Sequence, residues 1–150
     1  MELTRPLSAL GTGAAGALAV TALHESARRI SRKAPRMDVY GRRGLAKVYG
    51  WFGKVPPFGR RLQRQALVGE LLSNSLYYGL LALFPGKRPV ARGAALGALA
   101  GLGGLFLPQR MNLGRWPSQA FTERKVMTVA WYAFGGLVAG AACRALLPRA

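Results

Sequence analysis

The sequence predicts an all-α fold: a membrane-spanning bundle of four transmembrane helices, with a basic, partly amphipathic cytoplasmic loop between the first and second. Three observations predict it. Of the 150 residues 51% are hydrophobic, yet 22 Lys and Arg stand against five Asp and Glu, a formal charge of +17. The charges avoid four stretches, about 7–23, 65–86, 93–109 and 126–143, in which Glu70 is the one charged side chain. Each stretch has roughly the 17–25 residues that a bilayer-spanning helix needs. The third, over 93–107, is apolar or small all the way round, whereas a soluble helix carries a polar stripe. So much apolar residue beside so much charge excludes intrinsic disorder, and the whole of 1–150 reads as one integral membrane domain.

In the first span Gly and Ala dominate, and Leu7, Leu10, Leu18, Val20 and Leu23 supply the insertion energy, roughly 0.3–0.6 kcal/mol each. Thr4 is placed to cap it, with Pro6 in the first turn. Residues 24–33 hold neither Gly nor Pro, so the helix is expected to run beyond the bilayer until Pro35. A signal peptide is the alternative; the long apolar run and the lack of a small-x-small cleavage site following it argue against that.

The connection over 25–64 carries twelve Lys and Arg. Within it, over about 37–54, Leu45, Val48, Tyr49 and Phe52 recur at helical spacing, with the basic residues mostly on the other side. The pattern suits an interfacial amphipathic helix, in which Arg42, Arg43, Lys47, Trp51 and Lys54 contact anionic lipid head groups. Gly41, Gly44, Gly50 and Gly53 weaken that helix by about 0.5–1 kcal/mol each. The same charges also serve simply to set topology.

Pro85 and Gly86 end the second span, and Pro89 lies in a short turn that should make spans two and three an antiparallel hairpin. Pro108 is expected to end the third span and Pro148 the fourth. The connections on one side of the membrane hold sixteen basic residues against six on the other, which puts the richer side in the cytoplasm and both termini outside it. In a bacterial cell this is an inner-membrane protein.

Small residues recur every four positions at Gly93, Gly97 and Gly101, at Gly136 and Gly140, and at Ser8, Thr12 and Gly16. Such rows let helix backbones meet closely, within one chain, between copies, or against other membrane proteins. Spans one and three share a Gly/Ala pattern, and spans two and four share an aromatic-Tyr pair, Tyr77-Tyr78 and Trp131-Tyr132, a faint sign of two related hairpins.

One polar cluster stands out. Glu70, Ser73, Asn74 and Tyr77 fall at i, i+3, i+4 and i+7 on the second span and should line one face. A carboxylate within a span costs roughly 2.5–3.5 kcal/mol at the bilayer centre and needs protein or water beside it. His24, Arg28 and Arg64 lie at the right depth to pair with it. The pairing serves either as a structural bond between helices or as an ion or proton relay.

No catalytic residue, cofactor or metal is expected. His24-Glu25 is followed by Ser26, Ala27 and Arg28, so the HExxH zinc pattern lacks its second His, and a metal site would require His24, Glu25, Asp38 and Glu70 to converge. The single cysteine, Cys143, can form no internal disulfide. Tyr40, Tyr49, Trp51 and Phe52 among basic residues would suit nucleic acid, but basic residues beside spans are expected anyway and no nucleic-acid partner is inferred. The sequence therefore points to a non-enzymatic accessory or structural protein that docks membrane partners or anionic lipid. The alternative is a small oligomeric transporter or channel built on the Glu70 face.

Overall fold

The computed structural model describes residues 4–114 and 121–147. The chain folds as α1 (Thr4–Ile30), α2 (Met37–Trp51), α3 (Gly59–Leu83), α4 (Pro89–Arg110) and α5 (Thr122–Leu146), with no strand among the described residues. The Thr4 side chain and Pro148, expected to cap α1 and to close the fourth span, lie outside the described residues.

Helices α1, α3, α4 and α5 are long and apolar enough to cross a membrane, with a mean hydropathy of 1.2 to 1.6 over their most apolar 18 residues. Side-chain placement agrees with that solvent. Leu7, Leu18, Leu72, Leu76, Leu99 and Phe106 point outward, while Ser8, Thr12, Thr21, His24 and Thr128 are buried. A soluble bundle hides its Leu and Phe, but in lipid the large apolar side chains are at home outside and small or polar ones mediate contact between helices.

α1 packs between α3 and α5, and α5 packs in turn against α4. The α4–α5 contact is the closest of the bundle. A Cβ at Gly93 would collide with the Gly136 carbonyl, one at Gly97 with the Tyr132 carbonyl, and one at Gly140 would come within 2.6 Å of the Pro89 carbonyl oxygen. On α1, Gly13 lies against the Ser75 carbonyl of α3 and Gly16 against Ala139 of α5. All three rows of small residues thus meet partners within the chain.

The connection between α3 and α4 is the expected short turn, residues 84–88, although the two helices touch only lightly. The small residues explain this, since Ser75 and Gly79 of α3 face α1 while the glycines of α4 face α5. Pro108 does not end its helix: α4 continues to Arg110. Proline removes one backbone donor, and its ring crowds the carbonyl four residues earlier; here that residue is Gly104, preceded by Gly103, which leaves room. Beyond it, Met111 N donates to Leu107 O at 2.8 Å and Leu113 N to Pro108 O at 2.9 Å.

α2 is helical from Met37 to Trp51 and lies across one end of the bundle. Its buried residues are Val39 and Tyr40, not the stripe of Leu45, Val48, Tyr49 and Phe52, because α2 rests on protein along its N-terminal half. The helix stops at Gly53, which has φ of +65° and lets Lys54 N donate back to Tyr49 O at 2.9 Å, a Schellman-type ending.

Candidate functional site

The polar cluster forms where α1, α3 and α5 meet beneath α2. His24 is buried, and its Nδ1 lies 3.8 Å from Glu70 Oε1. Its ring packs against Trp131 at 5.1 Å and edge-on to Tyr132 at 5.3 Å between centroids. Of the three partners proposed for Glu70, His24 is therefore the one that meets it. Arg28 forms a bidentate pair with Glu25, and Arg64 is exposed.

Asn74 lies beside the Tyr132 phenol. Tyr77, from the same face of α3, donates to Leu96 O of α4 at 2.9 Å, and Tyr78 donates to Tyr132 O of α5 at 2.8 Å. The two tyrosines thus hold α3 to α4 and α5, where apolar packing is thin. Ser73 does not join them. It is exposed, and its hydroxyl donates to Glu70 O of its own helix at 3.1 Å.

Thr21, His24, Glu25, Arg28, Met37, Asp38 and Glu70 surround a cavity of about 10 Å3, room for one water. Among the described residues, neither His24 nitrogen, Glu70 Oε1 nor Thr21 Oγ1 makes a hydrogen bond. The four residues that a metal site would require all line this cavity, yet among the described residues no three His, Cys, Asp or Glu side chains are grouped closely enough to hold a metal ion. Glu25 is engaged by Arg28 and Arg29, and Asp38 by Arg36 at 2.9 Å and Arg42 at 3.5 Å. That leaves Glu70 and His24, an acid and an imidazole 3.8 Å apart, beyond direct hydrogen-bond distance and beside a space for one water. Neighbouring Asp38 is held below the usual carboxylate range. Burial alone would raise it, but the Arg36 hydrogen bond and the charges of Arg36, Arg42 and Arg28 outweigh burial.

The residues expected to touch lipid divide into two groups. Arg43 donates to Leu113 O at 2.9 Å and Lys47 to Met111 O at 2.6 Å, so both serve the carbonyls just past the C-terminus of α4, where cations are favoured. Arg42 pairs with Asp38. Trp51 and Lys54 remain exposed. Periodicity could not separate the two groups, because the separation depends on where α2 settles on the bundle. The sequence reading also missed Arg124, which donates to Lys33 O at 3.0 Å and Arg32 O at 3.1 Å and ties the end of α1 to α5.

The five small residues on the facing rows of α4 and α5, Gly93, Gly97, Gly101, Gly136 and Gly140, are all buried. No protein family, curated protein or solved structure matches the chain.

Proposed function

We propose that this polytopic helical protein is a non-catalytic accessory or structural component of its membrane, the inner membrane in a bacterial cell. In this reading the end bearing α2 faces the cytoplasm, both termini lie on the other side, and the basic end docks anionic lipid or the acidic surface of another membrane protein. What supports it is the distribution of charge. Twelve of the 22 basic residues lie within 25–64, the stretch that contains α2 and the adjoining ends of α1 and α3. The test is native mass spectrometry of the purified protein after exchange into mixed phosphatidylglycerol and phosphatidylcholine. Preferential retention of the anionic lipid supports docking on lipid, and equal retention of both removes it and leaves the acidic protein surface.

The closeness of half-buried Glu70 to buried His24 favours a second reading, proton or ion transport along the Glu70, Asn74, Tyr77 face. Glu70→Gln in reconstituted vesicles decides it. If the variant stays folded and every proton and ion flux matches wild type, that route is ruled out.

A further inference from the structure

The chain between α2 and α3 is an elbow, pinned at both ends by glycines in the left-handed region, Gly53 at φ +65° and Gly59 at φ +58°. It projects Trp51, Phe52, Val55 and Phe58, which are 66%, 74%, 79% and 84% exposed. Four large apolar side chains turned outward together are out of place in water. The cations around them differ from those elsewhere on α2. Arg42, Arg43 and Lys47 are engaged within the protein, whereas Lys54, Arg60, Arg61 and Arg64 are exposed, their side chains in no ion pair or hydrogen bond among the described residues.

The elbow also continues into the outer surface of a spanning helix. Phe58 immediately precedes α3, and on that helix Val68, Leu72 and Leu76 are exposed. Val68 lies ten residues beyond Phe58, about 15 Å along the axis. Aromatic side chains at this level, with basic residues able to snorkel between them, match the boundary between head groups and acyl chains.

We infer that the elbow over 51–61 is a lipid-binding wedge: Trp51, Phe52, Val55 and Phe58 enter the head-group boundary of the leaflet beside α3, and Lys54, Arg60 and Arg61 bind the phosphates of anionic lipids there. The inference rests on the proposed docking of anionic lipid and moves its centre from Arg42, Arg43 and Lys47 to the elbow. A soluble acidic partner is the competing occupant. Lipid is favoured because the patch is aromatic and merges with the face of a spanning helix.

Two measurements on the full chain in vesicles test it. A spin label at Val55→Cys, with Cys143→Ala, reports depth in membranes containing phosphatidylglycerol. The expected result is a label more accessible to oxygen than to a water-soluble nickel chelate. A label that stays in water overturns the inference and leaves the elbow to a soluble partner. In the second, Lys54, Arg60 and Arg61 are each changed to Gln, with an expected loss of anionic-lipid retention of about fivefold per residue. If wild type prefers the anionic lipid and the triple variant does so equally, the wedge is wrong while docking stands. If wild type shows no preference, docking itself fails.

Discussion

Replacing Gly97 by Ala adds one methyl group at the middle of the α4–α5 contact. Its Cβ would lie 2.8 Å from both Ala133 Cα and the Tyr132 carbonyl carbon, with the Tyr132 oxygen nearer still. Carbon atoms in ordinary contact are about 3.5–4.0 Å apart, so the helices must separate by about 1 Å. The atoms in the way are backbone, so no rotamer change relieves the clash. A gap of about 0.5–1 Å forfeits a quarter to a half of each dispersion contact, and the loss extends to Gly93, Gly101, Gly136 and Gly140 along the same seam. Overpacking typically costs about 1–3 kcal/mol, and this site should fall at about 2–3 kcal/mol. Reversible unfolding in bicelles, followed by steric trapping, measures it. The control is Gly69→Ala on α3, where an added Cβ meets nothing within 4 Å and better helix propensity should contribute about 0.5–1 kcal/mol of stability. If Gly97→Ala proves as stable as Gly69→Ala, the close α4–α5 approach is not what holds the pair together.

Tyr78→Phe removes the hydrogen bond to Tyr132 O and should cost about 0.6–1.5 kcal/mol in the same assay, since bonds of this kind are modest in membranes. Arg124→Ala frees the carbonyls of Arg32 and Lys33; limited trypsin digestion should then cut at those residues several-fold faster, and an unchanged rate would show that the tie is incidental. Acid should loosen α2. Because the Asp38 carboxyl is held below its unfolded value of about 3.9, its contribution is fully present above that pH and lost as pH falls through the folded value. The protection factors of the α2 amides, which discount the slowing of exchange itself at low pH, should therefore fall on acidification, and Asp38→Asn should show low protection at neutral pH with the acid-dependent step abolished.

The spanning helices were legible because hydrocarbon leaves its mark on every residue of a span. The stretches 7–23, 93–109 and 126–143 each lie within an observed helix, and 65–86 overruns α3 by three residues, so the ends alone shift, where helix propensity and not hydropathy decides. The nearness of His24 to Glu70 was also legible, because depth in a membrane is a coordinate that sequence supplies. Lateral position is not. That Tyr132 and Trp131 would enclose His24, that Ser73 would turn outward, and that Arg43 and Lys47 would face the end of α4 all depend on how the helices rotate about their axes. Glycine rows fix that rotation, yet with 20 Gly in the chain the sequence alone does not show which row meets which.

The position of α1 between α3 and α5 sets an order for assembly during synthesis. The first helix can meet α3 once residue 83 or so has entered the membrane, but its other side, with Gly16 and Val20, waits for Gly135 and Ala139 near the end of the chain. Until α5 arrives, the His24 ring lacks Trp131 and Tyr132. Chains stalled or cut before α5 should consequently leave a polar histidine unsheathed at the membrane boundary.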